Sequence, residues 1–119
     1  MISNIKIKKI DAEISSIIID EKKTYNSLSF KNLNDLLKAL KKLDNDEKIK
    51  VIILEGAGKG FSAGHNLKEV RGLKKQDKYQ KLFNLCSKVM IQIVEGRKPV
   101  IAKVHGAAFA AGCQLVASC

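Results

Sequence analysis

Two stretches of this 119-residue chain put small residues where the backbone itself could do chemistry. HGAAFAAGCQLVASC, residues 105–119, follows a short apolar strand at 100–104. It runs through a loop of Gly and Ala into an apolar segment whose only β-branched residue is Val116. Small residues let another body approach the backbone closely. A helix that starts there points several unpaired N–H groups out of its first turn. Aimed at a carbonyl oxygen, such groups stabilise negative charge as it develops. EGAGKGFSAGHNLKEV, residues 55–70, has the same order of strand, Gly-rich loop and short helix. Two such loops facing one site would bind a carbonyl compound through backbone amides.

The loop GAGKGFSAG does not fit the nucleotide motifs. A P-loop needs Ser or Thr after its Lys, and Lys59 is followed by Gly60. The dinucleotide fingerprint G-x-G-x-x-G finds Gly56 and Gly58 but no glycine in its third slot. Among single side chains, His65 reads as a loop residue at the rim of the site and His105 as a strand-end residue bonded locally. Cys113 stands beside Gln114 with no activating neighbour and reads as a small inert residue. Two readings stay open for Gln114: a polar group lining the site, or a helix residue bonded to a neighbour. Lys59, Lys68 and Lys103 read equally as phosphate contacts or as plain surface.

The composition, 45% hydrophobic and 29% charged, is that of a folded chain rather than a disordered one. A net charge of +10 invites a nucleic-acid reading. The lysines, however, come as scattered pairs (8–9, 22–23, 41–42, 74–75) with no interleaved aromatics, so no nucleic-acid partner is expected. The three cysteines, at 86, 113 and 119, form no Cys-x-x-Cys. Neither a disulfide framework nor a zinc site is signalled, and reduced thiols are expected. No apolar run reaches membrane-span length. The first ten residues lack the apolar core of a signal peptide.

The elements that must position the two loops follow from periodicity. Ile5 and Ile7 alternate with lysines, and residues 14–19 are rich in β-branched types, which predicts an antiparallel hairpin. Ser29 is the expected N-cap of a helix bearing Leu33, Leu36, Leu37, Leu40 and Leu43. The continuous apolar run 51–54 predicts a strand buried on both faces. A short helix is expected at 66–71. A longer one then presents Tyr79, Leu82, Phe83, Cys86, Val89, Met90 and Ile93 on one face. Gly96 ends it and Pro99 follows. The last helix has barely begun at Cys119, so the chain is expected to be part of a longer domain.

TYNSLS with the helix after it, VIILEGAGKGFSAGHNLKEV, and KPVIAKVHGAAFAAGCQLVASC together resemble the enoyl-CoA hydratase/isomerase (crotonase) superfamily. They stand in that family's order and spacing and cover nearly the whole chain. GCQLVASC is nearest to its enoyl-CoA hydratase domain-containing branch. The resemblance implies an α/β fold, a crotonase-like spiral of strand–strand–helix turns. Residues 1–119 would then be the N-terminal part of one such domain, truncated, its C-terminal part absent.

The resemblance also implies a substrate, acyl-CoA or enoyl-CoA, and no separate cofactor, since CoA is part of that substrate. No metal is implied. It implies homotrimers or dimers of trimers and a mitochondrial or cytoplasmic location. Two backbone N–H groups, of His65 and Ala111, would form an oxyanion hole for the thioester carbonyl and the enolate made from it. Lys22, Lys23 and Tyr25 would run beside the pantetheine, and Ala63 and Gly64 along the CoA. Asn66, Leu67 and Lys68 would line the continuing site. The family's first catalytic Glu falls at Gln114, whose neutral amide can orient a water but cannot take its proton. The second Glu would lie beyond Cys119. The alternative implied is a non-catalytic acyl-CoA-binding or assembly protein.

Overall fold

A computed structural model describes residues 3–119. The predicted hairpin forms from β1 (Ile5–Lys9) and β2 (Ile14–Ile19), paired antiparallel with Ile5 opposite Ile19. Its turn is fastened by the Asp11 carboxylate, which accepts the N–H groups of Glu13 and Ile14. A single 3-10 turn, Lys22–Thr24, leads to helix α1 (Phe30–Asp44). Ser29 caps α1 as expected, its Oγ accepting the Asn32 N–H at 3.1 Å.

Strand β3 (Val51–Gly56) lies parallel to β2, and β4 (Val100–Lys103) lies parallel to β3. The sheet order is β1-β2-β3-β4. Parallel neighbours need crossovers, which α1 supplies between β2 and β3. Helices α2 (Leu67–Gly72) and α3 (Gln76–Glu95) supply the next, and α4 (Ala111–Ser118) follows β4.

One face of the sheet carries the core. Ile17 pairs in register with Leu54, and Ile52 with Val100, and all four side chains are buried. Against them lie Leu33, Leu36 and Leu40 of α1, Leu82 and Val89 of α3, and Leu115 of α4. Each such fully buried apolar side chain contributes roughly 1.5–3 kcal/mol relative to exposure.

Two expectations are corrected. β3 is not buried on both faces: Ile52 and Leu54 are buried while Val51 and Ile53 are only half-buried. The second face also carries Ser16, Glu55 and Lys103, and the Ser16 Oγ donates to the Glu55 carboxylate. No helix of the described residues covers that face. The α3 stripe is also narrower than its spacing suggested. Leu82, Cys86, Val89 and Ile93 are buried, whereas Phe83 is 45% exposed and stacks on Tyr79 at 6.5 Å.

Candidate functional site

The 3-10 turn and the residues after it are bent by Tyr25 and Asn26, both at positive φ (57° and 54°). Asparagine is among the residues that tolerate this region best. Asn26 is almost wholly buried and every polar atom of its side chain is used. Its Nδ2 lies within bonding distance of the carbonyls of Ala57, Gly60 and Phe61, at 2.7–3.1 Å. Its Oδ1 accepts the Glu21 N–H at 2.9 Å. The Glu21 carboxylate in turn accepts from Asn4, Asn32 and the Thr24 hydroxyl, so the turn is held from both sides. The Tyr25 ring fills the space beside Gly60, where a Cβ would meet the phenol oxygen at 1.9 Å.

Gly64 sits at φ +88°, which only glycine adopts without strain. This brings the loop before α2 against the loop before α4. A Cβ on Gly64 would stand 3.0 Å from the Phe109 carbonyl and 3.1 Å from the Ala111 nitrogen. The two loops are joined by a parallel bridge, Ser62 to Ala108. The Phe109 N–H donates to the Ser62 carbonyl at 2.9 Å, and the Phe61 N–H to Ala107 at 3.0 Å. His105 reaches across to the Gly58 carbonyl, its Nε2 at 2.6 Å, so its bond is to the other loop rather than to its own strand. Beyond this junction Ala110 takes φ 49°, and α4 begins at Ala111. Near the junction the Ala63 N–H goes to Tyr25, the Gly64 N–H to the Ser62 Oγ and the Gly112 N–H to Phe109, while the N–H groups of Asn66 and Ala110 have no acceptor among the described residues. The N–H groups of His65 and Ala111 have no acceptor among the described residues.

Two grooves flank the Lys22–Thr24 turn. One, of about 520 Å³, collects Lys22, Lys23, Tyr25, Lys59 and the backbone of residues 57–60. The other, of about 330 Å³, collects Lys23, Ala63, His65, Asn66, Leu67 and Lys68. The sequence-predicted contact residues therefore fall on two sides of one turn, except Gly64, which with Ala111 lines neither groove. Leu67 is 77% exposed at the rim. The Asn66 side chain also has a structural task, accepting the N–H groups of Lys68 and Glu69 as the N-cap of α2. The His65 ring lies near the Leu28 carbonyl, Nδ1 at 3.3 Å, and edge-on to Phe83 at 5.3 Å. Gln114 and Cys113 are exposed on α4 and Lys103 on β4, and none of the three lines either groove.

The titrating groups with displaced pKa values lie outside these grooves. The Asp20 carboxylate is lowered, chiefly by the hydrogen bond from Lys6 at 2.8 Å. Burial raises the Cys86 thiol and pushes Cys119 up to about 11. Among the described residues no group of three or more His, Cys, Asp or Glu could hold a metal ion. No helix there is long and apolar enough to cross a membrane.

Sequence reasoning missed Asn26, Ser62 and Glu21, which build the junction without offering chemistry themselves. A signal for Asn26 was present: an asparagine directly before the Ser27–Ser29 capping region, where a left-handed turn is needed.

Comparison with known proteins adds the following. A profile of the enoyl-CoA hydratase/isomerase family matches residues 9–119. The rat protein called enoyl-CoA hydratase domain-containing protein 3, mitochondrial, is 41% identical over 106 residues. That match covers 89% of this chain and 35% of the rat protein, so the chain spans about a third of that relative's length. The crystal structure of human enoyl coenzyme A hydratase domain-containing protein 3 superposes with a TM-score of 0.91 at 40% identity. It covers 98% of this chain and 46% of the human one. An enoyl-CoA hydratase from Mycobacterium smegmatis superposes at 0.93 with 39% identity, covering 98% and 45%. The mixed sheet and its helices thus have the crotonase-like α/β fold, and the chain belongs to the enoyl-CoA hydratase/isomerase family.

Proposed function

We propose that this chain supplies the thioester-binding half of an enoyl-CoA hydratase/isomerase-like enzyme of fatty-acid metabolism. The observation that carries the reading is the pair of unbonded N–H groups, His65 and Ala111, on two segments that touch at Gly64. A thioester carbonyl oxygen held by both donors gains negative charge as the α-carbon loses a proton or as the double bond is attacked. Fixed donors are then worth more than they are to the resting carbonyl. Removing one such donor typically costs about 3 kcal/mol at the transition state. The α4 dipole adds to the same end, since Ala111 opens the helix.

The groove of Lys22, Lys23 and Tyr25 takes the pantetheine and the anionic end of CoA. The groove of Ala63, His65, Asn66, Leu67 and Lys68 takes the continuing ligand. Gln114, exposed and outside both grooves, moves no proton. The residues described therefore bind, orient and polarise, and the acid and base of hydration or isomerisation come from elsewhere. A trimeric assembly and a mitochondrial location, the latter matching the rat relative's name, belong to the same proposal.

The test is calorimetric titration of the chain with crotonyl-CoA against free CoA. Saturable binding that prefers the thioester is expected. The preference should vanish in Ala111→Pro, which removes one donor, with a thermal melt beside it because Ala110, at φ 49° and ψ −118°, must change conformation ahead of a proline. Equal affinity for crotonyl-CoA and free CoA in the native chain would overturn the reading.

A further inference from the structure

Ser62 is wholly buried; its backbone N–H and carbonyl both bond the loop before α4, the N–H to the Ala107 carbonyl at 3.4 Å, and its hydroxyl bonds Asn26 and Gly64. The Oγ donates to the Asn26 carbonyl at 2.8 Å and accepts the Gly64 N–H at 3.2 Å. The Ser62 carbonyl accepts the Phe109 N–H at 2.9 Å. The same carbonyl stands under α4, 2.5 Å from where a Cβ on Gly112 would lie. One residue therefore bonds the loop one position before His65 and the other loop at Ala107 and Phe109, ahead of Ala111, and packs against Gly112 after it. A hydroxyl offers one donor and two acceptor sites, and here one bond of each kind is made.

We propose that Ser62 is a positioning residue that sets the separation and aim of the His65 and Ala111 N–H groups. This deepens, and rests on, the oxyanion-hole reading above. Its Oγ acts on Gly64. The Gly64 N–H is held by Ser62 with φ at +88°, and the Gly64 carbonyl, which shares its peptide plane with the His65 N–H, accepts the Leu28 N–H at 2.7 Å, so Ser62 and Leu28 together set that plane. Its carbonyl acts on Phe109 and so fixes the strand of backbone that turns at Ala110 into α4. Asn26 anchors Ser62 in turn, and the three carbonyls held by the Asn26 amide keep the first loop from shifting as a body.

A residue that merely stabilised the fold would change melting and leave a bound, folded protein's donors where they were. The discriminating readout is optical. The absorption band of a conjugated dienoyl-CoA moves to longer wavelength when its carbonyl is polarised by well-aimed donors. The experiment saturates the native chain, Ser62→Ala and Ser62→Thr with 2,4-hexadienoyl-CoA and records the band, with free CoA affinity and a thermal melt measured beside it. The native chain is expected to give a red shift. Ser62→Ala should melt cooperatively, bind free CoA as before, bind the dienoyl-CoA about tenfold more weakly, and lose most of the shift, the effect of one lost hydrogen bond on donor aim. Ser62→Thr, which keeps the hydroxyl, should restore it. If Ser62→Ala does not fold, Ser62→Cys, similar in shape with a weak donor, replaces it and should show a diminished shift. A native-sized shift in the folded Ala or Cys variant would overturn the positioning role while leaving the oxyanion-hole reading intact. Absence of any shift in the native chain would overturn both.

Discussion

Replacing Gly112 by alanine adds one methyl group at the second residue of α4. Helix propensity alone favours the change by up to about 1 kcal/mol, because glycine loses more backbone entropy on folding. The surroundings oppose it. The new Cβ would stand 2.5 Å from the Ser62 carbonyl oxygen and 3.0 Å from the Ser62 C and Cβ atoms. That oxygen cannot swing aside, since it accepts the Phe109 N–H and belongs to a wholly buried residue. Overpacking against fixed backbone costs about 3 kcal/mol at the upper end of its range. The net expectation is a loss of about 2 kcal/mol, or roughly 8 °C in Tm for a chain of this size. The same methyl at Gly72, which meets nothing within 4 Å, should leave Tm unchanged or raise it by about 2 °C. Thermal melts of both variants, followed by circular dichroism, decide the matter. Because α4 must move away from Ser62, Gly112→Ala should also lose its preference for crotonyl-CoA over free CoA. A Gly112→Ala variant as stable as the native chain, with its thioester preference kept, would refute the claimed contact between the two loops.

Asn26→Asp sets a carboxylate oxygen against the carbonyls of Ala57, Gly60 and Phe61, and should cost about 3 kcal/mol or more, seen as a lower urea midpoint with an unchanged slope. Leu36→Ala, at a wholly buried position of α1, should cost about 2–5 kcal/mol in the same assay. The Cys86 thiol, buried and raised by desolvation, should be labelled by iodoacetamide at about pH 8 more slowly than the exposed Cys113, read by mass spectrometry of the tryptic peptides. Asp20, held below the usual carboxylate range by Lys6, stabilises the fold above the unfolded carboxylate pKa, and this is lost as pH falls through the lower folded value. Acid titrations of the native chain and Lys6→Met should therefore converge at low pH and diverge toward neutrality.

The element order was legible because each segment carried a clean period or a strong punctuator. The leucine spacing of α1, its Ser29 cap and the Gly96 stop of α3 all stand where their chemistry requires. The partner faces were less legible. A run such as 51–54 reads the same whether one or both faces are covered, and what lies over a face is a tertiary fact. Phe83 met the helical period of α3 yet lies exposed beside His65 and Tyr79, because the buried stripe is set by which turns face α1 and α4. At the site, glycine and alanine spacing marked both loops. Of the residues that join them, Asn26 left only a turn signal and Ser62 none, because their work is hydrogen bonding to backbone of distant segments, which leaves no periodic trace.

The most direct measurement is of the two amide protons themselves. The chain, labelled with ¹⁵N, is titrated with crotonyl-CoA and separately with free CoA, and the His65 and Ala111 resonances are followed. Both protons should move downfield with the thioester and stay in place with free CoA, as expected for donors that gain an acceptor only when the carbonyl is present. Saturable crotonyl-CoA binding that leaves both resonances unmoved would contradict the account.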